Sequence, residues 1–374
     1  MELVYKGKKD AKEILTGTKP AKLTAVEGSD ISSGVNMLIK GDNLQAMQAL
    51  IKEHDLKGKI DLVYIDPPFA TNAVYRSNDL RTSHVSSGLD DDIAYIDTLK
   101  GAEYLEFLRE RLLFIRELMS DRGSIYLHID YKIGHYVKIV MDEVFGIKNF
   151  RNDITRIKCN PKNFSRQGYG NIKDLILFYT KTDKYIWHEP KHKRSEDEVK
   201  RLFRKIDITG RYYTTTPLHA PGETRNGNTG REWRGQKPPK GRHWRYDPLV
   251  LDELQAKGLI EWSTTGNPRK IVYADEMPYK KLQDIWEFKD PPRPLYPTQK
   301  SLDLLKLIVA TSSNADSYVL DCFSGSATTL VAADALQRRW VGIDSSEVAI
   351  KTALKRLGLK NDLFTKGFVH LVQK

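Results

Sequence analysis

Three short stretches carry side chains that could do chemistry, and they lie far apart in the chain. The first is IDLVYIDPPFATN, residues 60–72, an apolar run that ends in Asp66, Pro67, Pro68 and Phe69. Proline fixes φ and biases the residue before it toward extended backbone, so the acid is locked in place where the strand ends. A turn alone would explain the prolines, whereas a site that needs a fixed carboxylate also explains the acid. The second stretch is VLDCFSGSATT, residues 319–329, where strand, acid, glycine turn and helix start follow in immediate succession. Gly325 permits a tight turn, and Ser326, Ala327 and Thr328 are small enough for a ligand to come close. Thr328 and Thr329 are expected to help satisfy the free N–H groups of the first helical turn. The third stretch, RRWVGIDSSE, sets Asp344 about 20 residues further on at the end of the next strand. An acid there can accept hydrogen bonds from both hydroxyls of a ribose.

The glycine turn lacks a G-x-G-x-x-G pattern and a Walker lysine. It therefore suits a nucleoside without phosphates better than a dinucleotide, and S-adenosylmethionine is such a ligand.

The elements that must position these residues alternate. NMLIKGDN reads as a strand, LQAMQALIKEH as a helix with one apolar face, and IDLVYI as a strand buried on both faces of a parallel sheet. YLEFLRERLLFIRELM and KIGHYVKIVMDEVFG read as helices, GSIYLHID and DLILFYTK as strands, and residues 71–98 as a long polar loop. From SLDLLKLIVATS onward the alternation resumes through SYVLDCF, SATTLVAADAL, RWVGID and EVAIKTALKRL. Such alternation predicts an α/β fold with a doubly wound, mostly parallel sheet. It is interrupted between about 181 and 290 by a segment rich in Trp, Tyr, Arg, Lys, Gly and Pro that looks like an insertion. Residues 1–35 read as a basic arm or mobile lead-in.

Bulk properties narrow the classes. The chain has 374 residues, 40% hydrophobic and 29% charged, which suits a soluble globular protein of two structural units. No apolar run approaches the ~20 residues of a membrane span, and MELVYKGKKDAKEIL lacks the apolar core of a signal peptide. With only Cys159 and Cys322 there is no disulfide framework or cysteine zinc cluster, so the expected setting is a reducing cytoplasm with no membrane partner. The net charge of +11 favours a polyanionic partner, nucleic acid above all.

Taken together, the motifs resemble the β class of DNA amino-methyltransferases, the group that includes the modification subunits of restriction systems. That class has a permuted order of catalytic motif, target-recognition region and cofactor motif. The order here is DPPF at 66–69, the basic irregular segment, then YPTQKS at 296–301 and DCFSGSATT. The resemblance spans residues 36–350 and implies a Rossmann-like class I methyltransferase fold. Its expected parts are a basic N-terminal arm (1–35), a catalytic half (36–180), a target-recognition insert (181–290) and a cofactor-binding half (291–374). It further implies that Asp42 of GDN contacts the cofactor adenine and that Thr298 and Lys300 lie near the cofactor carboxylate. Asn43, Asp66, Asp321, Phe323 and Ser345 complete the expected cofactor set, and Tyr75, Asn78 and Asp79 fall where the family places a loop over the target base. Two positions depart from the family pattern. Phe69 replaces the usual tyrosine, keeping the stacking face and losing a hydroxyl, and Ala327 replaces a glycine, which is tolerable if that backbone position is helical.

The resemblance gives the tetrapeptide a chemistry. The exocyclic amine of a base is a poor nucleophile because its lone pair is delocalised into the ring. Two acceptors aimed at its hydrogens favour the more tetrahedral geometry that attack on a methyl sulfonium needs. The Asp66 carboxylate and the Pro67 carbonyl can be those acceptors, with Pro68 holding them and Phe69 stacking on a flipped-out base. The family associates D-P-P-Y/F with adenine N6 and S-P-P-Y with cytosine N4, so adenine is expected and cytosine N4 is the alternative. A catalytically silent DNA-binding specificity module and a Rossmann oxidoreductase are further readings; intact Asp66, Phe69, Asp321 and Asp344 argue against the module.

Residues 222–246 carry Arg225, Arg231, Arg234, Lys237, Lys240, Arg242 and Arg245 against Glu223 and Glu232, with Trp233, Trp244 and Tyr246 interleaved. Such a segment can contact phosphates, read guanine edges and stack aromatic rings. The expected DNA contacts are Tyr75, Asn78, Arg225, Arg231, Trp233, Arg234, Lys237, Lys240 and Arg242, on duplex DNA. The plainer alternative is a solvated loop whose tryptophans pack on the catalytic domain. His128 and His135 flank Asp130 but are expected to be packed or solvated, and the chemistry requires no metal. A homodimer and a cognate restriction endonuclease are the further partners that the resemblance suggests.

Overall fold

The structure, a computed structural model, describes residues 2–26, 36–68, 74–77, 92–96, 101–160, 167–292, 294, 299–358 and 367–374; for 74–77 and 92–96 it describes the backbone alone. The chain begins with α1 (Ala11–Gly17), β1 (Leu23–Ala25), β2 (Asn36–Lys40), α2 (Asn43–Lys52) and β3 (Ile60–Ile65). It continues through β4 (Val74–Ser77), β5 (Asp92–Ile96), α3 (Gly101–Leu118), β6 (Met119–Ile129), α4 (Gly134–Phe145), β7 (Phe150–Ile157) and β8 (Lys173–Thr180). Next come β9 (Lys191–Lys193), α5 (Glu196–Leu202), β10 (Lys205–Ile206), β11 (Tyr212–Pro217), β12 (His219–Pro221), β13 (Arg242–Trp244), α6 (Pro248–Ala256), β14 (Ile260–Trp262), β15 (Pro268–Tyr273) and β16 (Tyr279–Lys281). The last part is β17 (Ile285–Glu287), α7 (Leu302–Ser312), β18 (Tyr318–Asp321), α8 (Thr328–Ala335), β19 (Arg339–Asp344), α9 (Glu347–Gly358) and β20 (Phe368–Gln373). The chain divides into two compact units, Met1–Glu189 with Gln283–Lys374, and Pro190–Leu282.

The larger unit is built on one sheet of order β1-β20-β2-β19-β18-β3-β6-β8-β7-β17. From β20 to β6 every neighbouring pair is parallel, and only β1 and β8 run against their neighbours. Apolar runs explain this centre. IDLVYI, NMLIK and RWVGID bury side chains of both parities, as strands covered on two faces must. Along β6 the parity separates two layers. Ile125, Leu127 and Ile129 join the core formed with α3 and α4, while the Tyr126 hydroxyl meets Ser312 of α7 at 2.8 Å. This is the doubly wound, mostly parallel sheet expected of the chain.

The lead-in differs from the expected mobile arm over its described part. Asp10 caps α1, β1 pairs antiparallel with β20, and Tyr5 donates to Glu106 of α3 at 2.6 Å. Lys8 bonds Glu143 of α4 at 2.8 Å, and buried Arg109 links Glu143 to Glu106. Strands β7 and β17, like the edge pair β1 and β20, carry no strong alternation in the sequence and gain their conformation from ladder partners.

The smaller unit is ordered rather than irregular. Its main sheet has the order β10-β11-β15-β14, with β12-β13 and β9-β16 as separate pairs. Ser195 and Glu198 form a reciprocal cap on α5, and Pro248 opens α6 behind Asp247. Its core gathers Leu218, Trp233, Trp244, Leu251 and Ile260. Trp233, expected to touch DNA, is 2% exposed, stacks on Trp262 at 5.8 Å and donates its indole N–H to Asp252 at 3.0 Å. It is a packing residue, because a core this small needs its largest rings inside.

Replacing Trp233 with Ala should therefore destabilise the smaller unit by about 3–5 kcal/mol, as for other buried aromatic truncations. Chemical denaturation followed by near-ultraviolet dichroism measures it, and a change under about 1 kcal/mol would show that the ring is not packed as described.

Candidate active site

Parallel strands β2, β19, β18 and β3 are consecutive neighbours and end on one edge of the sheet. An aspartate stands at or just beyond the end of each: Asp42, Asp344, Asp321 and Asp66. The carboxyl edge at a change of strand order is where doubly wound sheets hold ligands.

The turn after β18 is fastened from several directions. Asp344 accepts the N–H of Gly325 at 2.8 Å on one oxygen and that of Ser346 at 2.9 Å on the other, flanking Ser345. Burial nevertheless pushes its carboxyl above the ordinary carboxylate range. Gly325 has φ +47°, and Ala327 has φ +61° and ψ +29°. Ala327 is therefore left-handed and not helical as expected, which explains why glycine suits the position better and leaves the alanine strained. The threonines do not cap α8 with their side chains either. Thr329 donates to Asp321 at 2.5 Å, and Thr328 and Ser326 accept from Arg356 of α9 at 2.9 and 3.1 Å. Asp321 also accepts the N–H of Phe323 at 3.1 Å, yet burial pushes its carboxyl up to about 7.

On the neighbouring strand Asp42 caps α2 through the N–H of Gln45 and pairs with Arg111 at 3.3 Å. Asn43 is turned inward, donating to the Cys322 carbonyl at 2.8 Å and accepting from Arg111 at 2.7 Å. It thereby joins the stretch after β2 to the one after β18. Arg111 lies on the Phe107 ring, which in turn meets Phe323. The roles of Arg111 and Arg356 at this edge are invisible in the sequence because the edge residues they bond, Asp42, Asn43, Ser326 and Thr328, are 28 to 69 residues away.

Asp66 divides its carboxylate. One oxygen pairs with Lys300 at 2.8 Å, and the other, Oδ1, is buried with no hydrogen-bond partner among the described residues. Pro67 is buried and Pro68 half-buried beside it. Lys300, expected at the cofactor carboxylate, is thus drawn to Asp66. Phe69, Asn78, Asp79 and Thr298 lie outside the described residues, and only the backbone of Tyr75 is described.

Behind Asp66 lies a network the sequence did not suggest. Fully buried His128 of β6 contacts Tyr64 at 2.8 Å through Nδ1 and Asp174 of β8 at 3.1 Å through Nε2. Burial, then the Lys300 charge, holds the imidazole below its ordinary range, so it is neutral. Burial and the Asp66 charge keep the Tyr64 hydroxyl protonated, so it donates to Nδ1 while Nε2–H donates to Asp174. Burial disfavours the Asp174 charge, but His128, Lys300 and Lys158 outweigh it and hold the carboxyl well below the usual range. His135 is exposed, and no cluster of three or more His, Cys, Asp or Glu placed to hold a metal occurs among the described residues.

Chemically, the edge offers acids with spare lone pairs, a strained small-residue turn and no uncommitted basic group on the turn itself. It suits a diol and a cationic group, the features of a positively charged nucleoside, better than phosphates. A parallel sheet whose carboxyl edge carries these acids and a fixed D-P-P strand end suits a group-transfer enzyme. Comparison with known proteins makes the class specific. Residues 60–355 match the DNA methylase family N6_N4_Mtase, and the chain belongs to that family. It is 40% identical over 368 residues to the Type II methyltransferase M.EcaI of Enterobacter cloacae, covering 96% of this chain and 77% of that one. It is 26% identical to the Type III restriction-modification enzyme StyLTI Mod subunit of Salmonella typhimurium, over 80% of this chain and 50% of that subunit. The PvuII DNA methyltransferase (cytosine-N4-specific) superposes with a TM-score of 0.48 at 14% identity, covering 96% of this chain and 91% of that one. The protein is a DNA methyltransferase of that family, related to the modification enzymes of restriction-modification systems. No helix among the described residues is long and apolar enough to cross a membrane.

The buried carboxyl at the centre of the edge makes stability depend on pH. Native Asp321 titrates near 7 against an ordinary value of 3.8, so the folded chain holds this proton more tightly than the unfolded one. Its contribution is complete below 3.8 and is lost as pH rises to about 7. Relative to Asp321→Asn, the parent should lose stability across that window. Denaturation midpoints of both proteins at several pH values test this, and a constant gap would contradict it.

Proposed function

We propose that the protein transfers a methyl group from S-adenosylmethionine to the exocyclic N6 of an adenine flipped out of duplex DNA at a defined sequence. The observation that carries this reading is the divided carboxylate of Asp66, with one oxygen held by Lys300 and the other buried without a partner among the described residues. A buried, unsatisfied acceptor costs about 1–3 kcal/mol or more, which a substrate hydrogen can recover. Asp66 Oδ1 accepts one amine hydrogen and the Pro67 carbonyl the other, drawing the nitrogen toward tetrahedral geometry. The bound cofactor supplies an electrophilic methyl on a sulfonium. Asp344 would hold the ribose hydroxyls, with Asp42, Asn43 and Phe323 on the adenine side and Gly325, Ser326, Ala327, Thr328 and Ser345 forming the close wall. Thr298 belongs to the same site, and Asp321 balances positive charge. Most of the rate then comes from alignment, helped by carboxylates stabilising charge as it passes to the amine. Asp66 need not be a strong base, since the product ammonium is acidic enough to lose its proton to water.

Adenine is preferred to cytosine N4 because D-P-P-F resembles the adenine-modifying members; Phe69 then stacks on the flipped base. The smaller unit is the proposed source of sequence recognition. Its exposed Arg225, Arg231, Lys237, Lys240 and Arg242 suit phosphate and base contacts, whereas Arg234 already pairs with Asp252 at 3.0 Å. Tyr75 and Asn78 are proposed to lie over the target base. A homodimer, a cognate restriction endonuclease and a cytoplasmic setting complete the proposal.

Transfer of labelled methyl groups to mixed-sequence duplex DNA tests the reading. Asp66→Asn should lower kcat roughly 100- to 1000-fold with cofactor binding retained, as when a preorganised polar contact to the reacting group is lost. Undiminished transfer by that variant would exclude the Asp66 role, and a parent that binds DNA tightly without transfer would favour a silent specificity module. Replacing Arg231, Lys237 and Lys240 together with Ala should reduce the slope of log affinity against log salt by up to about 3. An unchanged slope would remove these residues from the DNA contact.

A further inference from the structure

Lys300 lies one residue before Ser301, the residue that precedes α7, and α7 packs beside β3, the strand that delivers Asp66. Its ammonium is 2.8 Å from Asp66, and the two side chains are only 11% and 15% exposed. The charges of two more carboxylates, Asp174 and Asp290, also act on that ammonium. Burial opposes its charge, but Asp66, Asp290 and Asp174 outweigh it and hold Lys300 above the ordinary ammonium range.

The other two acids have their own cations. Asp174 is paired by Lys158 at 2.6 Å, and Asp290 by buried Arg156, whose guanidinium also donates to the Phe288 carbonyl at 2.8 Å. His128, held neutral by burial and the Lys300 charge, adds no charge. Asp174 is thus met by Lys158 and Arg156 and Asp290 by Arg156, while Lys300 pairs with Asp66. A carboxylate turns about its last bond in a broad two-fold well, so a buried charge-assisted bond to one oxygen selects a single orientation. In that orientation the other oxygen is the one without a partner among the described residues.

We propose that Lys300 is a positioning residue for methyl transfer. It anchors one oxygen of Asp66 so that the other is presented to the substrate amine, and it is not primarily a ligand of the cofactor. This rests on the methyl-transfer reading of Asp66. Arg156 and Lys158 contribute by occupying the competing acids.

The test measures kcat at saturating cofactor and DNA, with the cofactor Kd by direct titration, for the parent, Lys300→Met, Lys300→Arg, Asp66→Asn and the double variant Asp66→Asn/Lys300→Met. Lys300→Met should lower kcat roughly 100-fold, the scale of a misplaced catalytic group, with the cofactor Kd little changed. Lys300→Arg should recover most of that loss. Lys300→Met should add little in the Asp66→Asn background, because both changes disable one unit. A raised cofactor Kd with kcat intact at saturation would overturn the proposal in favour of a cofactor ligand, as would losses that multiply in the double variant. Should Lys300→Met not fold, Lys300→Arg decides: high kcat with parental Kd supports the anchor, and low kcat with parental Kd overturns it. A parent that transfers methyl groups, together with an undiminished Asp66→Asn, would instead remove the Asp66 reading itself.

Discussion

Four acids delivered to one edge of a parallel sheet are the constraint on which the rest of the structure depends. Asp42, Asp344, Asp321 and Asp66 come from adjacent strands, and like charges brought together out of water oppose folding unless each is neutralised or hydrogen-bonded. The chain answers each one differently. Asp42 caps a helix and meets Arg111, Asp344 takes two backbone N–H groups, Asp321 is bonded by Thr329 and pushed up to about 7, and Asp66 is paired by Lys300. What remains is a site with more negative than positive charge, ready for a cationic nucleoside.

The same logic organises the opposite side of Asp66. Strand β8 runs against β6 and β7, so its first residues reach the edge where the parallel strands end. Asp174 arrives there from β8, Arg156 and Lys158 from the end of β7, and Asp290 from just after β17. Their pairing ties the returning chain to the sheet immediately ahead of Lys300. The fold therefore couples the re-entry of the chain after the smaller unit to the placement of the Asp66 carboxylate.

Much of this was legible because the strongest signals are local. An apolar run closed by an acid and two prolines, or a strand followed by acid, glycine and small residues, states its own conformation within a dozen residues. Arg111, Arg356 and Asp174 escaped because each acts on a partner brought near only by folding. Alanine at 327 would be unstrained only in a helical position, and the sequence carries no sign that the turn before α8 needs a left-handed residue there. Trp233 was read as a DNA contact because arginines surround it in sequence, but the small core claims the ring and turns only its neighbours outward. The described N-terminal residues read as mobile because their contacts, through Tyr5, Lys8 and β1, are all with distant residues.

Nucleoside analysis of DNA from a host expressing the protein tests the central claim most directly. A divided Asp66 carboxylate serving adenine predicts N6-methyladenine in that DNA, confined to one recurring sequence and absent when Asp66 is replaced by Asn. N4-methylcytosine in its place would contradict the adenine assignment, and N6-methyladenine that persists in the Asp66→Asn strain would contradict the role given to that carboxylate.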